Sequence, residues 1–370
     1  MPVATPWWQD IAPVVEAARV HSGIEVTILR LLEAERDQPP GGEVTYLAQV
    51  ATPVPASPWN DALDDQPLRL SYARPGGPDA DLGWATDRLQ RLGLPIVAKP
   101  VQVRTWNLSS VWRLPFDGGT AWLKVVPPFL AHEGKIVARL AGMRAPTLLA
   151  HDGGRMLMSE IPGEDLYDAG SDQLFAMVTL LADLQSRWMG RAADLILLGL
   201  PDRRAGALTE ATGALVARIG DRLSSDQHDL LDRFVGNLSA RWGRIADCGL
   251  ADTLVHGDFH PGNFRGKALD LTLLDWGDSG VGHPLLDQSA FLNRIPADAV
   301  PAIRAHWTKT WKEKMPGCDP GRAAHLLAPV AAARQAVIYQ GFLDNIEPAE
   351  HPYHRADPVA WLERTAELLR

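Results

Sequence analysis

Leu254-Val255-His256-Gly257-Asp258-Phe259-His260-Pro261-Gly262-Asn263-Phe264, followed twelve residues beyond its asparagine by Asp275-Trp276-Gly277-Asp278, is the stretch that decides the reading of this chain. An Asp five residues before an Asn, with a second Asp closing an apolar run, is the polar kit of phosphoryl transfer. That chemistry needs one carboxylate to orient or deprotonate an attacking hydroxyl, and an amide oxygen and a carboxylate to hold Mg²⁺ against nucleotide phosphates. The apolar runs 253–255 and 269–274 read as short buried strands, which would put all three groups on loops aimed by a rigid scaffold. Asp, Asn and Gly are also ordinary turn residues, so each position alone reads equally as turn chemistry. The weight lies in several fixed spacings occurring together.

Taken together, His256-Gly257-Asp258, His260, Asn263 and Asp275-Trp276-Gly277-Asp278 resemble the catalytic loop and metal-binding segment of the aminoglycoside phosphotransferase (APH) family. These are small-molecule kinases with a protein-kinase-like fold. The resemblance covers roughly residues 101–370 and is strongest over 254–278. It implies an α+β fold class: a two-lobed protein-kinase-like fold with a β-rich N-lobe and a mostly helical C-lobe. Residues 1–98 would add an N-terminal α+β subdomain, 99–162 the N-lobe and hinge, and 163–370 the C-lobe with the catalytic loop and acceptor pocket. The implied cofactors are ATP and Mg²⁺, and the implied partner is a small-molecule hydroxyl acceptor: an aminoglycoside-like antibiotic, an amino sugar or sugar, or an amino alcohol. Asp258 would serve the nucleophile, and Asn263 and Asp275 the metal. The alternative is a nucleotide-binding pseudokinase or regulatory module without transfer activity.

Upstream, Lys124 lies in the apolar strand-like run 120–126, where a lysine is costly to bury without a partner. Glu133 follows nine residues later, at the start of a helix predicted over 129–140. Either the two form the kinase lysine–glutamate pair, with the ammonium on nucleotide phosphates, or Lys124 snorkels from an edge strand beside an unrelated surface glutamate. Their place ahead of the His-Gly-Asp segment favours the pair. Where protein kinases carry a glycine-rich loop, this chain has Asn107-Leu108-Ser109-Ser110-Val111. The hydroxyls and backbone N–H groups of Ser109 and Ser110 could meet phosphate oxygens, or the segment is a plain hairpin. Met158, Ser159 and Glu160 fall where the family's inter-lobe connection meets adenine, which makes Glu160 a nucleotide-site candidate.

The remaining centre residues carry open alternatives. His256 is either a loop-holding structural group or a base, and structure is favoured because Asp258 already fits the general-base role. His260 either faces the acceptor or packs the loop. Asp278 contacts a second metal or the acceptor, or is solvated surface. His283 stands where the family usually has an acidic residue, and Asp287 matches a position that buttresses the catalytic loop. In the C-terminal helices, Tyr339, Asp344 and Glu347 are candidate acceptor residues; the acidic pair could receive a cationic amine or form a solvated helix end.

The chain has 370 residues, enough for two or three cored domains. A formal net charge of −9 argues against a nucleic-acid binder. Two cysteines without metal-like spacing suit a reducing, cytoplasmic location. No signal peptide or membrane span is expected. The thirteen tryptophans read as core fillers rather than a binding track.

Local patterns predict a helix over 7–19 opened by Pro6, strands over 24–32 and 44–50 around a turn at 38–42, a Pro-rich linker over 52–58, a strand at Leu68, Leu70 and Tyr72, and a helix over 81–92. Strands at 101–106, 110–114 and 120–126 follow. Helices are predicted over 172–188, 208–223 and 226–242, and the C-terminal helical segment breaks at Met315-Pro316-Gly317.

Overall fold

The computed structural model describes residues 2–4, 7–54 and 65–370, and they fall into two compact units. Met1–Gly134, Thr147–Glu160 and Gly341–Ala356 belong to the first; Lys135–Pro146, Ile161–Gln340 and Asp357–Arg370 belong to the second. Pro6 and residues 55–58 of the expected linker lie outside the described residues.

The first unit is built on α1 (Ala12–Ser22), β1 (Val26–Ala34), β2 (Val44–Val50), α2 (Gly77–Arg91), β3 (Val101–Trp106), β4 (Ser109–Phe116), β5 (Gly119–Val125), the start of α3 (His132–Arg139), β6 (Leu148–Asp152) and β7 (Arg155–Ser159). Helix α1 starts later than expected, because Pro13 sets its first turn, and it closes on left-handed Gly23. Strands β1 and β2 form an antiparallel pair, and the other five form an antiparallel sheet in the order β3-β4-β5-β7-β6.

The strand expected at residues 68–72 is instead a turn and a 3₁₀ segment, Ser71–Ala73. The chain folds back on itself there: a Cβ on Gly77 would fall 1.9 Å from the Ser71 carbonyl oxygen, so no edge is left for pairing. Leu70 and Tyr72 face inward and join Ala85 and Leu89 of α2 against Trp112, Leu114, Ala121, Leu123 and Leu157 of the sheet. Residues 70–89 therefore share the sheet's core, while Trp8, Leu31, Val44 and Tyr46 pack in a second cluster with Tyr353 and Trp106. The two-residue period of β5 buries Ala121, Leu123 and Val125 in that core and places Lys124 on the opposite face.

Residues 341–356 complete this unit. Tyr353 stacks edge-on against both Trp8 and Trp106, with ring centroids 5.6 Å apart in each case. Glu347 is buried and paired with Arg69 at 2.9 Å and Arg30 at 3.5 Å. Glu350 lies beside it, also buried. Burial first, then the Glu347 charge, pushes the Glu350 carboxyl up to about 8 against the pull of the Leu31 amide and Arg30. A carboxyl raised in the folded state stabilises most below its ordinary value of 4.5 and loses that contribution as pH climbs toward 8. Glu350→Gln is expected to remove a slope of about 1.4 kcal/mol per pH unit across that window. Urea unfolding at pH 5, 6, 7 and 8 reads it; parallel profiles for the two proteins would rule it out.

The second unit carries β8 (Glu164–Asp165), α4 (Ser171–Trp188), α5 (Ala192–Leu197), α6 (Ala205–Ile219), α7 (Ser225–Gly236), α8 (Leu238–Ala246), β9 (Thr253–Val255), β10 (Phe264–Lys267), β11 (Asp270–Leu273), β12 (Gly280–Gly282), α9 (Gln288–Leu292), α10 (Val300–Lys314), most of α11 (Pro320–Asn345) and α12 (Asp357–Leu369). In α4 the helical period buries Leu174, Met177, Val178, Leu181 and Trp188 on one stripe. The single helix expected over 226–242 is two, because the Asn237 side chain caps the first by donating to the Arg233 carbonyl at 2.7 Å.

Two small antiparallel systems organise the loops. Strand β10 pairs with β11 and with β8, and β9 pairs with β12 through Val255↔Gly280 and Leu254↔Val281. Residues 256–263 span β9 to β10, and residues 274–279 span β11 to β12. No helix among the described residues is long and apolar enough to cross a membrane.

Candidate active site

The loop after β9 is held from below by one carboxylate. Asp287 accepts the His256 backbone N–H on one oxygen at 2.9 Å and the Gly257 N–H on the other at 2.8 Å, and Gln185 of α4 donates to it at 3.0 Å. Asp287 is fully buried; burial raises its pKa, against the Arg334 and His256 charges and the two amide bonds. His256 is also buried and donates from Nε2 to the Leu274 carbonyl at 2.8 Å, which ties the loop to the end of β11. Burial lowers its pKa. A neutral, sealed imidazole is a structural group, the first of the two readings open to His256. Phe259 anchors the next turn by stacking on Phe291 at 4.9 Å, edge-on to Trp307 at 5.8 Å.

That anchoring presents Asp258 and Asn263 to each other. The Asn263 amide nitrogen donates to the Asp258 carbonyl at 2.8 Å and to its carboxylate at 3.2 Å. The Asn263 amide oxygen carries no hydrogen bond among the described residues. His260 Nδ1 accepts from the Gly262 N–H at 3.0 Å, so the proton of the neutral ring sits on Nε2, 3.3 Å from the Asp258 carboxylate. His260 therefore serves Asp258. Burial raises the Asp258 pKa, but the interaction with His260, the imidazole of His256 and the Arg294 charge outweigh it and hold the group at about 2. It is ionised at neutral pH.

The second loop meets the first backbone to backbone. Gly257 has φ +95°, and a Cβ there would fall 2.0 Å from the Asp278 carbonyl oxygen. Gly257→Ala is expected to cost at least about 2 kcal/mol, since conformation and contact both exclude a side chain. A urea midpoint within error of the parent protein would discount this contact. Asp275 is exposed and sits in the left-handed region at φ +59°, a conformation Asp tolerates better than most residues but which still stores strain.

Asp278 is half-buried. Burial, with the Asp258 and Asp275 charges, pushes it up to about 7, against Arg334 and Arg203. Arg334 is fully buried and donates to the Gly257 carbonyl. Arg203 is lowered to about 10 by burial and by Arg334. Burial, then the charges of Asp357, Asp258 and Asp278, raise the Tyr339 hydroxyl. These residues, all in the second unit, form a carboxylate cluster flanked by two guanidinium groups.

In the first unit, Lys124 Nζ donates to Glu133 Oε1 at 2.7 Å, and the lysine side chain remains 14% exposed while the glutamate is 3% exposed. The ammonium is thus braced on one side and reachable on the other. The serines after Asn107 need correction. Ser109 and Ser110 are buried in β4, and their hydroxyl oxygens accept the indole N–H groups of Trp106 at 3.1 Å and Trp112 at 3.0 Å. Asn107 is buried too, bonded to His354 Nε2 at 3.0 Å and to the Glu350 carbonyl at 3.4 Å. The Glu160 amide donates to the Thr120 carbonyl at 3.1 Å, and its carboxylate accepts from the Trp122 indole.

Glu347 is the second correction: its carboxylate is taken by Arg69 and Arg30, which leaves no open anion for a cationic amine. Asp344, near the end of α11, is exposed and belongs with Glu347 to the first unit. His283, in the family's acidic position, is buried and accepts the Leu285 N–H at 3.2 Å, doing with an imidazole nitrogen what a carboxylate oxygen would do. The sequence reading assigned no role to Arg203 or Arg334. Arg334 did leave a signal, a lone cation in the alanine-rich run 331–336.

A model of the APH phosphotransferase enzyme family matches residues 101–325. The chain is similar to the macrolide 2'-phosphotransferase MphH from Brachybacterium faecium, at 19% identity over 74% of this chain and 97% of that one, with a TM-score of 0.51. It is also similar to the choline kinase LicA from Streptococcus pneumoniae, at 13% identity over 78% and 98%, with a TM-score of 0.56. An aminoglycoside 2'-phosphotransferase solved as its GDP complex aligns at 14% identity over 78% and 97%, with a TM-score of 0.51. No curated protein sequence matches. At these identities the structures show the fold, which is that of protein-kinase-like phosphotransferases. Because the family model spans more than half of the chain, over the segment that carries the loop geometry above, this protein belongs to the phosphotransferase enzyme family and is a small-molecule kinase.

Proposed function

We propose that the chain transfers the γ-phosphoryl group of ATP to a hydroxyl of a small molecule, with Asp258 serving the hydroxyl. The observation that carries this reading is the Asp258 carboxylate, ionised and fixed by Asn263 and His260 on a loop clamped through Asp287. A carboxylate held at about 2 is a poor store for a proton at neutral pH. Its work is to accept the acceptor's O–H, align the oxygen lone pair, and take the proton only as the new P–O bond forms.

Lys124, braced by Glu133, would hold nucleotide phosphates. Replacing it with Met removes a charge-assisted hydrogen bond of roughly 1.5–3 kcal/mol, so nucleotide affinity should fall about 10- to 100-fold in calorimetry. An unchanged affinity would leave Lys124 a structural partner of Glu133.

Asn263 and Asp275 fit a Mg²⁺ ion. The Asn263 amide nitrogen is committed to Asp258, which leaves its oxygen as the group able to ligate, and Asp275 offers an exposed carboxylate. Both are hard oxygen donors. An ion of this kind takes one or two protein oxygens and completes its shell with phosphate and water. When bound, the ion neutralises charge on the transferring phosphoryl oxygens.

The reading on the acceptor is an aminoglycoside-like antibiotic, an amino sugar or sugar, or an amino alcohol, bound near Asp278 and Tyr339. The test is transfer of γ-labelled phosphate from ATP to a panel of such compounds and to a metabolite extract, with Asp258→Asn run alongside. Label in one compound, lost in the variant, supports the reading; equal labelling by both proteins overturns it.

A further inference from the structure

The helical unit contains a cavity of about 130 Å³ that the transfer chemistry does not use. Its walls come from α9, α11 and α12 and combine small or apolar groups, Leu292, Leu327, Ala328, Ala331 and Trp361, with the polar side chains of Ser289 and Asn293. Alanines at 328 and 331 open this space, since a larger side chain at either would occupy it. An engineered cavity of about 150 Å³ takes a benzene ring, so this one admits a phenyl or branched alkyl group.

Two polar groups make it more than a packing gap. Gln288 is 5% exposed and lines the cavity, yet its side-chain amide makes no hydrogen bond among the described residues. Its side-chain amide keeps contact with solvent at the cavity, so water meets it when no ligand is present and a ligand's polar group can take that water's place. At the mouth stand two arginines. Arg364 is paired with Glu367 at 2.8 Å, whereas Arg304 is exposed and has no ion pair among the described residues.

We propose that this cavity binds a small carboxylate carrying a compact apolar body, with the carboxylate between the Gln288 amide and Arg304 and the body against Ala328 and Ala331. Water occupies the site when no ligand is present, and a ligand with an apolar body gains by displacing it from the Ala328 and Ala331 face. The site lies beyond the transfer reading and does not depend on it. It has a route to the active loop all the same. Gln288 opens α9 directly after Asp287, the residue that clamps the His256 and Gly257 amides. A ligand held by Gln288 fixes the start of α9 and with it the clamp.

The experiment is calorimetric titration of the full chain with sodium benzoate at constant ionic strength, with benzyl alcohol as the neutral comparison, followed by amide hydrogen exchange. Benzoate should saturate with a Kd at or below about 1 mM and bind more tightly than the alcohol. Arg304→Ser, a surface change that leaves the fold alone, should weaken benzoate about three- to fivefold. Ala328→Leu should abolish binding by filling the space. Exchange at His256 and Gly257 should slow when benzoate is bound. No saturable binding, or binding indifferent to both substitutions, overturns the site. Binding without slower exchange at those two amides overturns the route to the loop. Phosphoryl transfer is not part of the binding readout, so failure here is distinct from failure of the kinase reading.

Discussion

Asp258→Asn lowers kcat for phosphoryl transfer by about 10²- to 10⁴-fold, the range for removing a positioned proton acceptor, and leaves nucleotide affinity within about threefold. The separation follows from where its contacts lie. The Asp258 carboxylate accepts from Asn263 and lies 3.3 Å from His260 Nε2, both on its own loop, and that loop hangs from Asp287 and Phe259. An asparagine keeps one acceptor oxygen for those donors, so the loop persists while the charge goes. What is lost is the anion that aligns the acceptor hydroxyl, a contact made as the transition state forms. The check is single-turnover transfer beside calorimetry with Mg²⁺–ATP. A kcat within tenfold of the parent would remove Asp258 from the reaction. A collapse of nucleotide binding would show that its main work is holding Asn263 and the loop.

The local part of this site was readable because the distances along the chain are short. Asp258, Asn263 and Asp275 fall within one pair of strand–loop units, and the apolar runs that became β9 and β11 fix where those loops begin and end. Lys124 and Glu133 were readable for the same reason: one strand, one turn and one helix start separate them. The misreadings turn on which face of an element is buried and what packs against it, which local pattern does not encode. Glu347 looked like an open acid at a helix end, and its fate depends on Arg69, 278 residues away in the chain. Ser109 and Ser110 looked like loop hydroxyls, but the indoles that use them come from residues that read as core fillers. Leu68, Leu70 and Tyr72 alternate as a strand does, yet burial under α2 decided their conformation, a tertiary choice that propensity does not encode. Arg203 shows the limit most plainly: nothing around Pro201-Asp202-Arg203-Arg204 signals that one arginine reaches the carboxylate cluster while its neighbour pairs with Asp202.

Asp287→Ala is expected to destabilise the protein by about 3–5 kcal/mol, since three buried donors each lose their acceptor at roughly 1–3 kcal/mol apiece, partly relieved by relaxation. Three losses coincide at this position. The His256 and Gly257 N–H groups and the Gln185 amide lose their acceptor in a place no solvent reaches. The Arg334 guanidinium, fully buried, loses a carboxylate whose charge offsets its burial. The methyl group left behind also vacates space in a close-packed interior. Asp287→Asn separates these terms. It keeps the shape and one acceptor oxygen, but presents an NH₂ to a backbone N–H, so its cost should be smaller than that of Ala and still exceed about 1 kcal/mol. Urea unfolding of the three proteins gives the order directly. Transfer should fall in both variants even under conditions where each is folded, because the loop that carries Asp258 is no longer clamped at Gly257. A loss under about 1 kcal/mol in the alanine variant, with transfer intact, would show that Arg334 and the strand pairing of β9 with β12 hold the loop without Asp287.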